Sequence, residues 1–176
     1  MIRGGSGRTS AGRAPLYSAA ERRRRDESIW TTVQAVLAPI QFAICAASVV
    51  LVVRFLLTGD GYGIATASVV TKTLALYAIM ITGSIWENVV FGRYLFAPSF
   101  FWEDAVSIVV LGLHTAYLIA LALGALDPLA LMWLALAAYA SYVVNAAQFL
   151  LKLRAARLDG RSPAPAGGVI TSGARA

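Results

Sequence analysis

The chain has little charge and almost none of the side chains that usually bind metals or form disulfides. Charged residues make up 14% of its 176 residues, against about 25% in a typical soluble domain. The single cysteine, Cys45, excludes a disulfide framework or a thiolate metal site within one chain. The single histidine, His114, falls short of the usual ligand set for a metal held by protein alone. With 59% hydrophobic residues, the composition instead indicates an integral membrane protein.

Four apolar runs are long enough to cross a hydrocarbon core of about 30 Å, which takes about 20 helical residues. We place them near residues 32–57, 65–91, 103–126 and 128–151. Because water cannot satisfy backbone groups inside a bilayer, each run is predicted to be a helix. The predicted fold is all-α, an integral membrane four-helix bundle within residues 17–158. Residues 1–16 and 159–176 are rich in Gly, Ser, Ala, Pro and Arg and are predicted to be disordered.

Cations lie mainly in the two terminal segments and in the connection between the second and third helices. The positive-inside rule therefore places both termini and this middle connection in the cytoplasm. Arg54 and Lys72 are exceptions near the outer ends of the first two helices, where we expect them to snorkel to the interface or contact a polar group there. A run of arginines at 22–25 can hold anionic lipid or nucleic acid. Beside a first transmembrane helix it most often anchors to lipid, so the predicted partner is the bilayer and no nucleic acid.

Polar side chains within the predicted helices are concentrated in the cytoplasmic half. Three carboxyl groups and three amides lie near cytoplasmic helix ends: Glu87, Glu103, Asp104, Asn88, Asn145 and Gln148. At about 1.5 Å per residue, three other polar side chains are predicted near mid-depth: Gln41, His114 and Tyr142. Together they predict a polar pocket that opens toward the cytoplasm and narrows toward the middle of the bundle.

The carboxyl groups allow a functional and a structural interpretation. A partly buried acid that stays protonated can donate a proton while an ionised neighbour orients water, which suits addition of water to a double bond. Alternatively, Glu87 pairs with Arg93, and Glu103 or Asp104 caps the third helix. Spacing by itself names no substrate.

His114 and the aromatic residues also have two interpretations each. The histidine either hydrogen-bonds a neighbouring helix, or acts as an axial ligand to a metal-centred cofactor or as a proton donor. Residues 91–102 contain six aromatic side chains, which are typical of an interfacial belt. The same segment can form an apolar lip that grips a hydrophobic substrate from the membrane.

Four strings carry a family resemblance over roughly residues 17–158. They are TGSIWENVVFGRYLFAPSFFWED at 82–104, WTTVQAVLAPIQF at 30–42, LHTAY at 113–117 and YVVNAAQFLLKLRAAR at 142–157. In combination they resemble the 2-vinyl bacteriochlorophyllide hydratase family; Asn88 stands where we expect a lysine in that family. The resemblance implies a lyase of bacteriochlorophyll biosynthesis, a hydro-lyase that adds water to the 3-vinyl group of chlorophyllide a or 3-vinyl bacteriochlorophyllide a. The product would carry a 3-(1-hydroxyethyl) group.

The same resemblance implies a chlorophyllide-type tetrapyrrole as the binding partner and a multi-pass location in a bacterial inner membrane, cytoplasmic or photosynthetic. No cofactor is expected, because magnesium is present only within the substrate macrocycle. In our hypothesis Glu87 or Glu103 protonates the terminal vinyl carbon, and Asp104 or the other glutamate positions water. The predicted substrate-binding residues are Gln41, His114, Tyr142, Asn145, Trp86 and Trp102. Among them, His114 is the candidate axial ligand to the substrate's magnesium.

Two other classes of protein fit the same residues. A non-catalytic pigment-binding or assembly factor of the photosynthetic membrane would bind chlorophyllide without forming a hydroxyethyl product. A transporter would need charges along a continuous path, which Arg54 and Lys72 with few acids between them do not provide. Small residues at 135–140 permit close helix contacts, so a homo-oligomer or a complex with other pigment-synthesis enzymes is a further expectation.

Overall fold

The fold is known from a computed structural model, which describes residues 16–159 and the burial of side chains up to residue 154. It consists of five helices: α1 (Ala19–Glu27), α2 (Ile29–Thr58), α3 (Tyr62–Phe91), α4 (Phe101–Leu123) and α5 (Pro128–Asp159). No strand occurs in this part of the chain, so the all-α prediction is confirmed. The two tails predicted to be disordered lie outside the described residues, except for Leu16 and for Asp159, which is the last helical residue.

Four of these helices, α2 to α5, are long and apolar enough to cross a membrane, as predicted. Their ends differ from the predicted ends because local capping, and not hydropathy, determines where a helix starts and stops. Ser28 starts α2 three residues early by accepting a hydrogen bond from the Trp30 N–H (3.2 Å). Gly124, in the left-handed region at φ +59°, ends α4 before residue 126. Beyond residue 151, α5 continues as a polar helix, since hydropathy marks the membrane and not the helix end.

The short helix α1 was not among the predicted helices. It begins with a capping box, in which the Glu21 N–H donates to Ser18 Oγ and the Ser18 N–H donates to the Glu21 carboxylate (3.3 and 2.8 Å). The arginine run lies on this helix, and Arg24 Nε donates to the Val90 carbonyl at the end of α3 (2.9 Å). Arg25 lies over the Tyr17 ring, 4.8 Å from its centroid. Part of the predicted lipid anchor therefore packs against the bundle.

The four long helices form two antiparallel hairpins. Contacts are extensive between α2 and α3 and between α4 and α5, and sparser between one hairpin and the other. We call the interface between the α2–α3 hairpin and the α4–α5 hairpin the seam. Ser48 and Tyr139 share a hydrogen bond across it (2.6 Å), as do Tyr77 and Thr115 (2.8 Å). The seam joins the hairpins through few contacts and contains most of the buried polar side chains.

An aromatic cluster closes the end of the bundle where α3 is connected to α4. Phe100 lies at its centre and contacts other rings at centroid distances of 5.7 to 6.3 Å: Tyr17, Trp86, Phe91 and Phe149. The cluster ties the segment before α1 to α3 and α5. It thereby fixes the α3–α4 connection, which bears the groups described next.

Candidate carboxyl site and the buried polar seam

Two successive backbone amides of the α3–α4 connection hold two of the predicted carboxyl groups. The Ala97 N–H donates to Glu87 Oε1, and the Phe96 N–H donates to Asp104 Oδ2, each at 2.7 Å. Because the two amides are neighbours in the chain, the two carboxyl groups adjoin. Glu87 is 4% exposed and Asp104 is 7% exposed. We call Glu87 and Asp104 the carboxyl pair.

The backbone of the connection is bent to make these two hydrogen bonds. Phe96 has a φ of +60°, in the left-handed region, which costs a residue with a side chain roughly 1–2 kcal/mol. Successive amides next to a left-handed residue can form an anion-binding concavity. Here the concavity receives one carboxyl group from α3 and one from α4, so it links the two hairpins.

Glu103 has a different environment from the carboxyl pair. Its Oε2 accepts a hydrogen bond from Lys152 Nζ on α5 at 2.5 Å, and both side chains are largely buried. Lys152 also lies 4.9 Å from the centroid of the Phe100 ring. Glu103 therefore forms a salt bridge between α4 and α5, next to the carboxyl pair.

Neither a Glu87–Arg93 ion pair nor a side-chain cap by Glu103 or Asp104 forms in the described part of the chain. Glu87 accepts from the Ala97 amide, and no ion pair joins it to Arg93 within residues 16–159. The N-cap of α4 is Phe100, which receives no side-chain capping bond, and neither Glu103 nor Asp104 acts as the cap. Both acids instead form bonds outside the helix.

Lys152 belongs to the site although the sequence analysis does not predict it. The sequence shows it only as one of the C-terminal cations that indicate membrane orientation. A signal was present in the spacing. Asn145, Gln148 and Lys152 follow one another at intervals of three and four residues, which places them on one face of α5. Asn145 Nδ2 donates to Ser107 Oγ on α4 (2.8 Å), and both residues are buried. This face of α5 therefore extends the polar surface from Glu103 inward.

A second polar group lies deeper in the seam, and three of its members are residues predicted near mid-depth. It consists of Gln41 on α2, Lys72 on α3, His114 on α4 and Tyr142 on α5, all buried. The His114 Nδ1 lies 2.8 Å from the Val110 carbonyl, which only accepts, so Nδ1 carries the proton and Nε2 keeps its lone pair. Among the described residues, Gln41 Nε2, Lys72 Nζ and His114 Nε2 have no hydrogen-bond partner.

Of the two roles predicted for Lys72, snorkelling to the outer interface and contact with a polar group there, the structure excludes snorkelling. Lys72 is 0% exposed, and its Nζ lies 3.8 Å from the centroid of the Tyr142 ring on the facing hairpin. It follows the start of α3 at Tyr62 by about 15 Å at 1.5 Å per residue, and it faces the seam instead of lipid. Arg54 is exposed, and its predicted snorkelling stays a prediction.

The two tryptophans that were predicted to bind substrate lie in different environments. Trp86 Nε1 donates to Thr31 Oγ1 (2.9 Å), and its ring packs in the aromatic cluster against Phe100. Trp102 is 71% exposed on the outer surface of α4. Trp86 therefore has a packing contact between α2 and α3, whereas Trp102 is free to meet lipid or a ligand arriving from it.

The predicted open pocket is not present as such, because the seam is closed. Gln41, His114 and Asn145 are at most 8% exposed, which leaves no room for a macrocycle between them. Two surface grooves of about 440 and 320 Å³ lie elsewhere, on α2 near Arg54 and between α2 and α3 near Ser68. A large ligand can reach the buried polar groups only if the hairpins separate.

The sequence was compared with known families and proteins. The profile of the family described as 2-vinyl bacteriochlorophyllide hydratase (BCHF) matches residues 17–155. The chain belongs to this hydratase family. The resemblance noted in the sequence is thereby confirmed, and the matched region of the hydratase family includes the carboxyl pair, Lys152 and the deeper polar group.

Two relatives within the hydratase family are similar over most of their length. The 2-vinyl bacteriochlorophyllide hydratase of Rhodobacter capsulatus is 61% identical over 150 residues, which cover 85% of this chain and 87% of the relative. The one from Cereibacter sphaeroides is 60% identical over 144 residues, covering 82% and 89% respectively. No solved structure matches the chain significantly.

Proposed function

We propose that this chain is a hydro-lyase that adds water to the 3-vinyl group of chlorophyllide a or 3-vinyl bacteriochlorophyllide a, forming a 3-(1-hydroxyethyl) group. Membership of the hydratase family supports the reaction. The observation that carries the chemistry is the buried pair Glu87 and Asp104, held by adjacent amides at the end of the seam. Four apolar helices suit a substrate that partitions into a membrane, and we place the protein in the bacterial inner membrane.

The carboxyl pair is the proposed proton donor. Two adjoining carboxyl groups favour holding one proton between them, because two negative charges at that distance repel each other. The shared proton is delivered to the terminal vinyl carbon, and the positive charge that forms on the adjacent carbon is delocalised into the macrocycle. Water adds to that carbon and loses one proton, which returns to the pair. The Phe96 and Ala97 amides stabilise the negative charge that the pair carries after proton delivery.

The environment of Glu103 indicates which of the three carboxyl groups donates the proton. Its carboxylate oxygen is bound by the Lys152 ammonium group, which makes Glu103 poorly suited to donate a proton. A carboxyl group beside the carboxyl pair suits the second role, in which it orients the incoming water and relays the proton that the water loses back to the pair. We therefore assign proton donation to Glu87 with Asp104, and water positioning to Glu103.

The substrate is proposed to lie in the seam, because the polar groups that would contact it come from both hairpins. Contacts between the hairpins are fewer than those within them, so the seam is where the bundle separates most easily. The free lone pair of His114 Nε2 suits axial ligation of the magnesium within the substrate. Gln41 Nε2 and Asn145 Oδ1, which lack partners among the described residues, suit polar substituents of the macrocycle.

The proposed reaction needs no cofactor besides the magnesium already in the substrate. Partner proteins are a separate expectation, and a second copy of the chain or another pigment-synthesis enzyme stays a prediction.

Incubating the purified protein with chlorophyllide a, followed by chromatography of the pigments, tests the function. We expect the wild type to form the hydroxyethyl product, and Glu87→Gln and Asp104→Asn to form it much more slowly. Glu21→Gln is the matched control, because Glu21 is a half-buried acid at the start of α1, outside the seam. Binding of pigment by the wild type without product would contradict the proposal and favour a pigment-binding or assembly factor.

A further inference from the structure

Lys72 is a buried cation that the proposed reaction does not use. Its side chain is completely buried at the seam, and its Nζ has no hydrogen-bond partner among the described residues. None of the salt bridges in that part of the chain includes it. Glu87, an acid on the same helix, is fifteen residues away, which is about 22 Å along the axis.

An unpaired ammonium group at this depth is costly, and such groups in membrane proteins usually mark a binding or transport site. The face of the Tyr142 ring, 3.8 Å away, offsets only part of the cost. Gln41 Nε2, another donor of the deeper polar group, is also buried without a partner among the described residues. The acceptor in this group, His114 Nε2, is bonded to neither donor, so a group that accepts hydrogen bonds and carries negative charge suits both.

The order of groups along the seam shows where such a partner would lie. His114 follows Asp104 by ten residues on α4, about 15 Å deeper than the carboxyl pair. Lys72 lies about 22 Å from Glu87 along α3, deeper still. The backbone positions of the carboxyl pair, His114 and Lys72 therefore succeed one another from the end of the bundle inward.

We propose that Lys72, with Gln41, binds the free carboxylate of the substrate and so sets the position of the macrocycle along the seam. This inference rests on the proposed function and adds to it the part of the substrate that is recognised. A chlorophyllide-type substrate carries its propionate and its 3-vinyl group at well-separated positions of the ring. With the carboxylate at Lys72 and the magnesium near His114, the vinyl group points toward Glu87 and Asp104.

The closed seam fits this role. Without substrate, the Tyr142 ring occupies the position in front of the ammonium group. When the hairpins separate, the cation exchanges the ring face for a carboxylate, which is a stronger partner in a low-dielectric site. Lys72 is thus a specificity-determining residue that acts on binding, and it takes no part in proton transfer.

The test compares chlorophyllide a with its methyl ester, which keeps the vinyl group and removes the negative charge. Dissociation constants are measured by absorption titration of the full-length protein in detergent micelles, and product formation is followed for both pigments. Because a charge-assisted hydrogen bond is lost in the ester, we expect the wild type to bind the free acid roughly 10- to 100-fold more tightly.

Three variants separate recognition from folding. Lys72→Met is expected to reduce the preference for the free acid to about one, and to leave the thermal stability of the unliganded protein unchanged or higher, since an unpaired buried cation is removed. Lys72→Arg is expected to keep part of the preference. The matched control is Arg54→Met, which removes an exposed cation of α2 and should keep the full preference.

Equal affinity of the wild type for acid and ester overturns the inference, as does an undiminished preference in Lys72→Met. If both pigments are hydrated in those cases, the proposed function stands and only the inference fails. If the wild type forms no hydroxyethyl product from either pigment, the proposed function fails, and the inference fails with it. If Lys72→Met does not fold, equal affinity of the wild type for acid and ester still overturns the inference, and so does a full preference in Lys72→Arg identical to that of the wild type.

Discussion

Replacing Glu87 by glutamine is expected to stop hydration while preserving the fold. The glutamine carbonyl can keep accepting the Ala97 N–H that now lies 2.7 Å from Glu87 Oε1. Its amide group cannot supply an acidic proton, and by donating to Asp104 it would hold that carboxyl group as a carboxylate. Loss of a general acid lowers rates by about 10²–10⁴-fold, or about 3–5 kcal/mol of transition-state stabilisation.

The shared proton predicts how two such changes combine. Asp104→Asn is expected to lower the rate by a similar factor, because it removes the other half of the same donor. The double variant, Glu87→Gln with Asp104→Asn, is then expected to be only slightly slower than either single variant. Single-turnover rates of hydroxyethyl formation, measured by pigment chromatography, give all four values.

Two results would refute this reasoning. One is a loss of less than about tenfold in both single variants, since a general acid contributes more than that. The other is a double variant whose loss equals the product of the two single losses, which would show that the two groups act independently. Glu21→Gln serves again as the control for a carboxyl group outside the site.

Three further changes have defined outcomes. Lys152→Met is expected to lower the free energy of unfolding by about 1–3 kcal/mol, because Glu103 loses its cation, and adding Glu103→Gln should restore part of it in thermal unfolding assays. His114→Ala is expected to shift the absorption of bound pigment, and an unchanged spectrum would remove the axial-ligand role. The Ser18 N–H donates to the Glu21 carboxylate and holds the pKa of this carboxyl group below its usual 4.5. The hydrogen bond therefore stabilises α1 above pH 4.5, and this stabilisation is lost as the pH falls through the lowered pKa. Amide exchange at Ser18 should accelerate there beyond its intrinsic pH dependence, and an absence of that acceleration would contradict the capping role.

Hydropathy was sufficient to predict the four membrane-crossing helices, because an apolar run of that length has few alternatives. The capping box of Ser18 and Glu21 was equally readable and would have predicted α1. What the sequence did not show is which neighbour each polar side chain meets. The role predicted for Lys72 was based on its position along α3, whereas its burial depends on the α4–α5 hairpin that faces it.

The sequence was sufficient to predict which acids form the candidate site, but it was not sufficient to predict the partner that each acid contacts. Clustering of Glu87, Glu103 and Asp104 could be predicted because these acids lie at the two helix ends that the short α3–α4 connection joins. Their division into a carboxyl pair and a salt bridge depends on the left-handed Phe96 and on Lys152. Lys152 is 49 residues from Glu103 in the sequence, and only folding brings the two side chains together. Helix periodicity likewise indicated which faces are polar, and it did not indicate that the seam is closed.

The central claim is that Glu87 and Asp104 protonate the terminal vinyl carbon before water adds. Hydration in water labelled with both deuterium and oxygen-18 tests it most directly, with mass spectrometry of the product from the wild type and from Glu87→Gln. The account predicts wild-type product with one deuterium on the terminal carbon and the heavy oxygen in the hydroxyl group, and little such product from the variant. Doubly labelled product formed by Glu87→Gln at the wild-type rate would contradict it.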